Sequence, residues 1–226
     1  MKFDGITAAL IIIDIQNDFC PAYTACSGEK LPAGALAVAD GDKVIEPLNR
    51  FAQVFADKGA AVIATADWHP PDHVSFASAH PEKKAGDIVD LPAVKGQVLW
   101  NPHCIQRTRG ADFHDLLNLG PVHSILRKGF RRDLDSYSAF FENDRQTPTG
   151  LDGFLKGLGI NAVFLGGLAT DYCVYYSALD AISLGYKTIV LTDAVQGVGY
   201  PPGSVEKALD SMKSAGVNLK DSGDFL

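Results

Sequence analysis

Cys173 closes the run Gly166-Gly167-Leu168-Ala169-Thr170-Asp171-Tyr172-Cys173, where an apolar stretch turns into a segment of helical character. A thiol at such a junction meets the unpaired N–H groups and positive dipole end of a helix. Both favour the thiolate, the nucleophilic form. The same N–H groups are suited to holding an oxyanion. A lone cysteine is as readily a small core residue, so its companions carry the argument. Asp14 ends one apolar run and Lys128 ends the run Ser124-Ile125-Leu126-Arg127-Lys128. Taken singly, the first reads as a loop cap and the second as a solvated surface charge. Taken together, a thiol, a carboxylate and an ammonium make a nucleophile, its proton acceptor and a cation that stabilises the anionic state.

A second group has the character of metal ligands. Asp67-Trp68-His69 places a carboxylate and an imidazole two residues apart. Alternate residues of an extended chain share a side, so both can address one cation. His73, Ser75 and His103 lie further along. A carboxylate with imidazoles suits zinc, iron or manganese better than magnesium or calcium.

Bringing these groups together requires several strands that end in one place. Residues 8–14 form a continuous apolar run, as expected of a buried parallel strand. Residues 61–66, 122–127, 162–166 and 188–192 predict four more strands, and 217–219 a short sixth. Val44, Leu48, Phe51 and Phe55 recur at three- and four-residue steps. This predicts an amphipathic helix over 43–58, stopped by Gly59. Further helices are expected over 172–184 and 204–214. The alternation predicts an α/β fold of three layers, α-β-α, around a mainly parallel, roughly six-stranded sheet. Ligands of such sheets bind beyond the carboxyl ends of the strands, where Asp14, Asp67, His69, Lys128 and Cys173 fall. Residues 20–40 and 78–103 predict long surface loops.

The 226 residues predict one domain over 1–226. At 46% hydrophobic and 21% charged residues, the composition argues against disorder. A net charge of -7 without a Lys/Arg run argues against nucleic acid or an anionic membrane as partner. No basic-then-apolar leader is expected at the start, and the apolar run near it is too short to span a bilayer. The cysteines at 20, 26, 104 and 173 include no CxxC pair, so a reduced, cytoplasmic protein is expected. A homo-oligomer remains open.

Five motifs in chain order carry a resemblance: Asp14-Ile15-Gln16-Asn17-Asp18-Phe19, Asp67-Trp68-His69-Pro70, Trp100-Asn101-Pro102-His103-Cys104, Lys128-Gly129-Phe130 and Ala169-Thr170-Asp171-Tyr172-Cys173-Val174. Together they resemble the nicotinamidases, within the isochorismatase-like hydrolases. The resemblance implies hydrolysis of nicotinamide to nicotinic acid and ammonia through a cysteine thioester. It implies a triad of Asp14, Lys128 and Cys173. It implies one divalent metal ion, usually zinc, with iron or manganese as alternatives, held by Asp67, His69 and His103 and facing the pyridine nitrogen. Phe19 and Trp100 match aromatic positions that flank the ring. Leu168-Ala169 matches a cis peptide, with the N–H groups of Ala169 and Cys173 as the oxyanion hole. Asp133, Tyr137 and Phe140 fall in a segment similar to the family's loop over the pocket. The remaining metal position stays open between His73, Ser75 and water. Relatives acting on carbamoyl or ureido amides generally lack the Asp-x-His…His set. Isochorismatase-type ether hydrolysis needs no nucleophilic cysteine. A non-catalytic binding protein would be expected to have lost a member of the triad.

Overall fold

Burial of the apolar runs on both faces of a sheet organises the chain. The computed structural model describes residues 2–3, 6–25 and 27–225, so Cys26 lies outside the described residues. The elements in order are β1 (Lys2–Phe3), β2 (Ile6–Ile13), β3 (Tyr23–Thr24), β4 (Lys30–Leu31), α1 (Ile45–Asp57), β5 (Ala61–Asp67), β6 (Ile88–Val89) and β7 (Gln97–Val98). There follow β8 (Ser124–Lys128), α2 (Leu151–Gly157), β9 (Ala162–Leu168), α3 (Tyr175–Ser183), β10 (Lys187–Gln196), α4 (Ser204–Ser214) and β11 (Asn218–Lys220). Six strands form a parallel sheet in the order β11-β10-β9-β2-β5-β8, and β1 pairs antiparallel with β2.

Central strand β9, and β2 from Ala8 onward, are apolar because helices or loops cover both their faces. On one face, Leu10, Ile12 and Phe164 pack against Leu48, Phe51 and Phe55 of α1. On the other, Ile11, Ile13 and Leu165 pack against Leu155 of α2, Ala178 and Ala181 of α3 and Met212 of α4. The three-layer α-β-α expectation therefore holds. Among the described residues no helix is long and apolar enough to cross a membrane.

The differences from the sequence reading have local causes. Helix α2 is only seven residues long and contains Gly153 and Gly157, so it carries little periodic signal. Strand β10 runs on to Gln196 through a register shift between Val190 and Val195. There Asp193 accepts from Ser222 N at 2.8 Å and Ser222 Oγ at 2.5 Å, so a polar residue sits inside the extended strand. The helix expected from 172 is preceded by a wider π-type turn over Thr170–Val174. The two long loops contain the small hairpins β3–β4 and β6–β7.

Gly167 shows how tightly the central strands approach. Its φ is +130°, and an added Cβ would stand 2.0 Å from Ile13 O of β2. Gly167→Ala should therefore cost about 3 kcal/mol or more, from backbone strain and a clash that only strand separation relieves. A chemical denaturation curve would show it; an unchanged midpoint would mean that β2 and β9 can part without loss.

Candidate active site

Asp14, Asp67 and Lys128 end or follow the neighbouring strands β2, β5 and β8, and Asp67 is the direct ladder partner of Lys128. The Lys128 side chain is fully buried, with 0% exposure. Its Nζ donates to Asp67 Oδ1 at 2.5 Å, to Ser136 O at 2.9 Å and to Cys173 Sγ at 3.5 Å. Asp14 Oδ2 lies 2.9 Å away as an ion pair and receives no hydrogen bond from the described residues. Thr65 Oγ1 donates to Asp14 Oδ1 at 2.6 Å and fixes the carboxylate. Acid oxygens of Asp14 and Asp67 and the thiol of Cys173 all lie within 4.8 Å of one another. The expected trio of nucleophile, carboxylate and ammonium is thus gathered at one point.

The electrostatics differ from the expectation of a pre-formed thiolate. Cys173 is buried, not partly exposed. That burial pushes its thiol well above the ordinary value, although Lys128 pulls the other way. Burial also raises Asp14 above the usual carboxylate range, against the pull of Lys128. Burial opposes the charge of Lys128 too, yet Asp14 and Asp67 outweigh it and hold its pKa well above normal. At Asp67 burial acts upward, but Lys128 and His69 outweigh it and keep the carboxylate ionised.

The second group sits against the first through Asp67. Its Oδ2 lies 3.6 Å from His69 Nε2 and 4.0 Å from His103 Nε2. His69 Nδ1 faces Gly129 O at 2.8 Å and His103 Nδ1 faces Asn101 O at 2.8 Å. A carbonyl only accepts, so each Nδ1 carries a hydrogen when the ring is neutral, and each Nε2 lone pair is left toward Asp67. Burial and the neighbouring His69 push His103 down to about 4, which keeps its ring neutral at pH 7. One carboxylate oxygen and two oriented imidazole nitrogens, within 4.8 Å of one another, fit a divalent transition metal. Gly129 permits this arrangement: an added Cβ would stand 2.5 Å from the His69 ring. His73 approaches the same ring, but its Nδ1 is paired with Ser75 Oγ at 2.7 Å.

Residues of the first motif brace both groups. Gln16 Oε1 accepts from Asp67 N at 2.8 Å, and its Nε2 donates to Asp67 O at 2.8 Å and Ala111 O at 2.9 Å. Asp18 accepts from Ala35 N and Cys104 N, tying the 20–40 loop to the loop that carries His103. Beside Cys173, Tyr172 N and Val174 N both donate to Ala169 O and curl the chain, and the Leu168–Ala169 peptide is cis.

A cavity of about 30 Å³ opens over this chemistry, lined among others by Phe19, Asp67, Trp100, His103, Tyr137, Ala169 and Cys173. Phe19 and Trp100, the two aromatic residues expected to flank a ring, are on its wall, and so is Tyr137 of the segment expected over the pocket. Asp133 is exposed and ion-paired to Arg132, and Phe140 is packed in the core, so neither lines it. Leu36, Tyr172 and Val198 also line it and were missed. Only Tyr172, next to Cys173, carried a sequence signal. A larger cavity of about 270 Å³ opens toward the amino ends of β9 and β10, but its lining is Phe164, Ile189, Phe225 and other residues without a nucleophile or an acid–base pair.

The isochorismatase domain family matches residues 8–224. The chain belongs to the isochorismatase family. Within it, a nicotinamidase of Acinetobacter baylyi is 41% identical over 96% of this chain and 94% of its own length. A nicotinamidase of Escherichia coli is 40% identical over 96% of both. Among solved structures, a nicotinamidase/pyrazinamidase of Acinetobacter baumannii superposes with a TM-score of 0.88 at 43% identity, covering 99% of this chain and 100% of that one. An L. infantum relative solved with nicotinate gives 0.76 at 32% identity, covering 96% and 93%. A pyrazinamidase of Pyrococcus horikoshii in complex with zinc gives 0.73 at 34% identity, covering 95% and 98%.

The ion-pair geometry sets an expectation for stability in this family member. Lys128→Met leaves two buried carboxylates without their cation, at a cost of about 3–5 kcal/mol at pH 7. With Lys128 gone, burial acts on Asp14 unopposed by the ammonium, so its folded-state pKa rises further above the unfolded value, while Asp67 keeps the opposing pull of His69. The folded variant then binds more protons than the unfolded chain, and it regains stability as pH falls through that window. Urea midpoints at pH 7 and pH 5, each relative to the unsubstituted protein, should show a smaller loss at pH 5.

Proposed function

We propose that this chain hydrolyses nicotinamide to nicotinate and ammonia. The observation that carries the reading is the convergence of Asp14, Lys128 and Cys173 with Asp67, His69 and His103 in one aromatic-walled cavity. The nicotinamidases similar to it over nearly its whole length support the same substrate.

The ring lies between Phe19 and Trp100, with the carboxamide carbon over Cys173. Asp67, His69 and His103 would hold one divalent cation, for which we favour zinc, with iron and manganese compatible. When bound it supplies a Lewis-acid contact for the pyridine nitrogen. The zinc-bound Pyrococcus relative supports that choice.

Asp14 takes the thiol proton as Cys173 Sγ attacks the carboxamide carbon, and Lys128 stabilises the resulting negative charge. Backbone N–H groups of Ala169 and Cys173 receive the oxyanion. Asp14 returns its proton to the amide nitrogen, the C–N bond breaks and ammonia leaves. A water then attacks the thioester and gives its proton to Asp14. The C–S bond breaks, nicotinic acid leaves and ionises to nicotinate, and the proton on Asp14 returns to the thiolate. Burial serves this sequence twice: a raised pKa makes Asp14 a stronger base, and a dry site strengthens each charge contact.

Ammonia release from nicotinamide, with metal content measured on the same sample, tests the reading directly. Cys173→Ala should lower kcat by about 10,000-fold or more while leaving the fold intact. Asp14→Asn should be nearly as damaging, and the double variant little worse than either, because the two groups act in one step. Losses that multiply would contradict a shared step.

Benzamide tests the ring-nitrogen contact. It keeps the ring size and the amide but lacks the nitrogen, so it should be a poor substrate. Chelation should raise the KM for nicotinamide steeply and shrink its advantage over benzamide, while Cys173 still reacts with iodoacetamide. Equal rates on the two amides by the metal-loaded protein would remove the metal from substrate binding.

A further inference from the structure

Gln97 is a buried side chain that no step above uses. It is the first residue of β7, inside the long 78–103 loop, and it is 1% exposed. Its Nε2 lies 2.9 Å from Val98 O, 3.0 Å from Asp135 Oδ2 and 3.0 Å from Tyr137 Oη. Its Oε1 accepts from Asn143 Nδ2 at 3.0 Å. Three acceptors around the nitrogen and a donor at the oxygen fix the amide's sense, since a flip would set its carbonyl against a carboxylate. Tyr137 Oη also accepts from Trp100 Nε1 at 2.9 Å, an N–H that can only donate. Asn143 closes the circuit: its Oδ1 accepts from Tyr137 N at 2.9 Å and its N donates to Asp135 O at 2.7 Å. Trp100 and Tyr137 are the two cavity-wall residues in this network, and their rings meet edge to face at 6.5 Å.

We propose that Gln97 is a positioning residue that holds the Trp100–Tyr137 wall in register and so sets the seat of the substrate ring. The seat of a ring rests on the nicotinamide reading; the wall itself does not. Removing the amide leaves the buried Asp135 carboxylate and the part-buried Tyr137 phenol and Asn143 amide with fewer partners, and such a network re-forms as a unit. Neither Asp14, Lys128 nor Cys173 is among the hydrogen-bond partners of Gln97. Gln97 reaches Lys128 only at two removes, through Asp135 and Ser136, so the loss falls mainly on ring binding.

Gln97→Met keeps the side-chain length and removes every polar contact. It should raise the KM for nicotinamide about 10-fold and leave kcat within about threefold. The rate of Cys173 alkylation by iodoacetamide should stay within about twofold, reporting an intact thiol environment. Asn143→Asp is the second variant: it sets an acceptor against Gln97 Oε1 and keeps the acceptor for Tyr137 N. It should raise KM in the same direction, and the double variant should fall short of the product of the two effects. An unchanged KM in the folded variants, or a fall in kcat alone, overturns the proposal. Failure of the unsubstituted protein to release ammonia from nicotinamide would instead refute the substrate reading. The wall is then judged by Trp100 emission, isolated by subtracting the spectrum of Trp100→Phe. A red shift and greater acrylamide quenching in Gln97→Met or Asn143→Asp support the positioning role, and an unchanged emission overturns it.

Discussion

An ammonium group buried beyond the reach of water is the constraint on which this structure turns. Lys128 has no exposed surface, and an uncompensated charge there would cost several kcal/mol. Its compensation comes from Asp14 and Asp67, which belong to two other strands. Three strand ends must therefore reach the same level. The β2–β5 and β5–β8 ladders meet this condition, with Ile12 opposite Ala64 and Asp67 opposite Lys128. A slip of one residue in either ladder would turn a carboxylate to the opposite face and leave the ammonium short of a partner. The sheet's register and the charge cluster thus specify one another.

Asp67 makes that cluster and the histidine group a single object. One of its oxygens accepts from Lys128 while the other faces His69 and His103. Its backbone is held on both its N–H and C=O by Gln16, so the carboxylate cannot drift toward either set. Substrate orientation and bond breaking, in the proposed mechanism, then share one rigid residue. The first motif reads in the same physical terms. Asp14 supplies a charge, Gln16 grips Asp67, Asp18 ties two loops together and Phe19 reaches the cavity wall. Each of these side chains has a separate contact to make, which is why so many polar residues follow an apolar strand.

The strand ends were legible because the information is local: an apolar run stops, and a charged residue follows. The same holds for α1, whose buried Leu48, Phe51 and Phe55 keep helical spacing over several turns. Helix α2 was not legible, since seven residues with two glycines make less than two clear turns. The cavity lining was legible only in part. Phe19, Trp100 and Tyr137 are aromatic residues in recognisable motifs, whereas Leu36 and Val198 are ordinary apolar residues brought in by long-range loop placement. Phe140 was associated with the pocket by its place in a segment, but two of its neighbours decide otherwise. Ala139 N donates to Ser177 Oγ and Phe140 O accepts from Thr149, which turn this stretch into the core. Gln97 carried no signal at all, because its meaning lies in three partners 38 to 46 residues away.

The burial of Cys173 was the least legible property and changes the chemistry most. A turn before a helix argues for a stabilised thiolate, and an isolated helix end would act that way. In the folded chain, however, Cys173 is buried, and losing water outweighs the single ammonium at 3.5 Å. Asp14 and Asp67, which pair with Lys128, also set their own negative charges against the sulfur and offset the ammonium's pull. The thiol therefore keeps its proton until a reaction partner arrives. Asp14 is suited to that regime, because the same burial that holds the proton on sulfur raises the basicity of the carboxylate. In the proposed mechanism, proton transfer can then accompany attack instead of preceding it, with the developing charge passing to the oxyanion and its N–H donors. A protonated resting thiol is also a weak target for solvent-borne electrophiles and oxidants, which act on thiolates. In the proposed mechanism, burial thus gives up a ready-made nucleophile and gains one that forms only on a bound carbonyl.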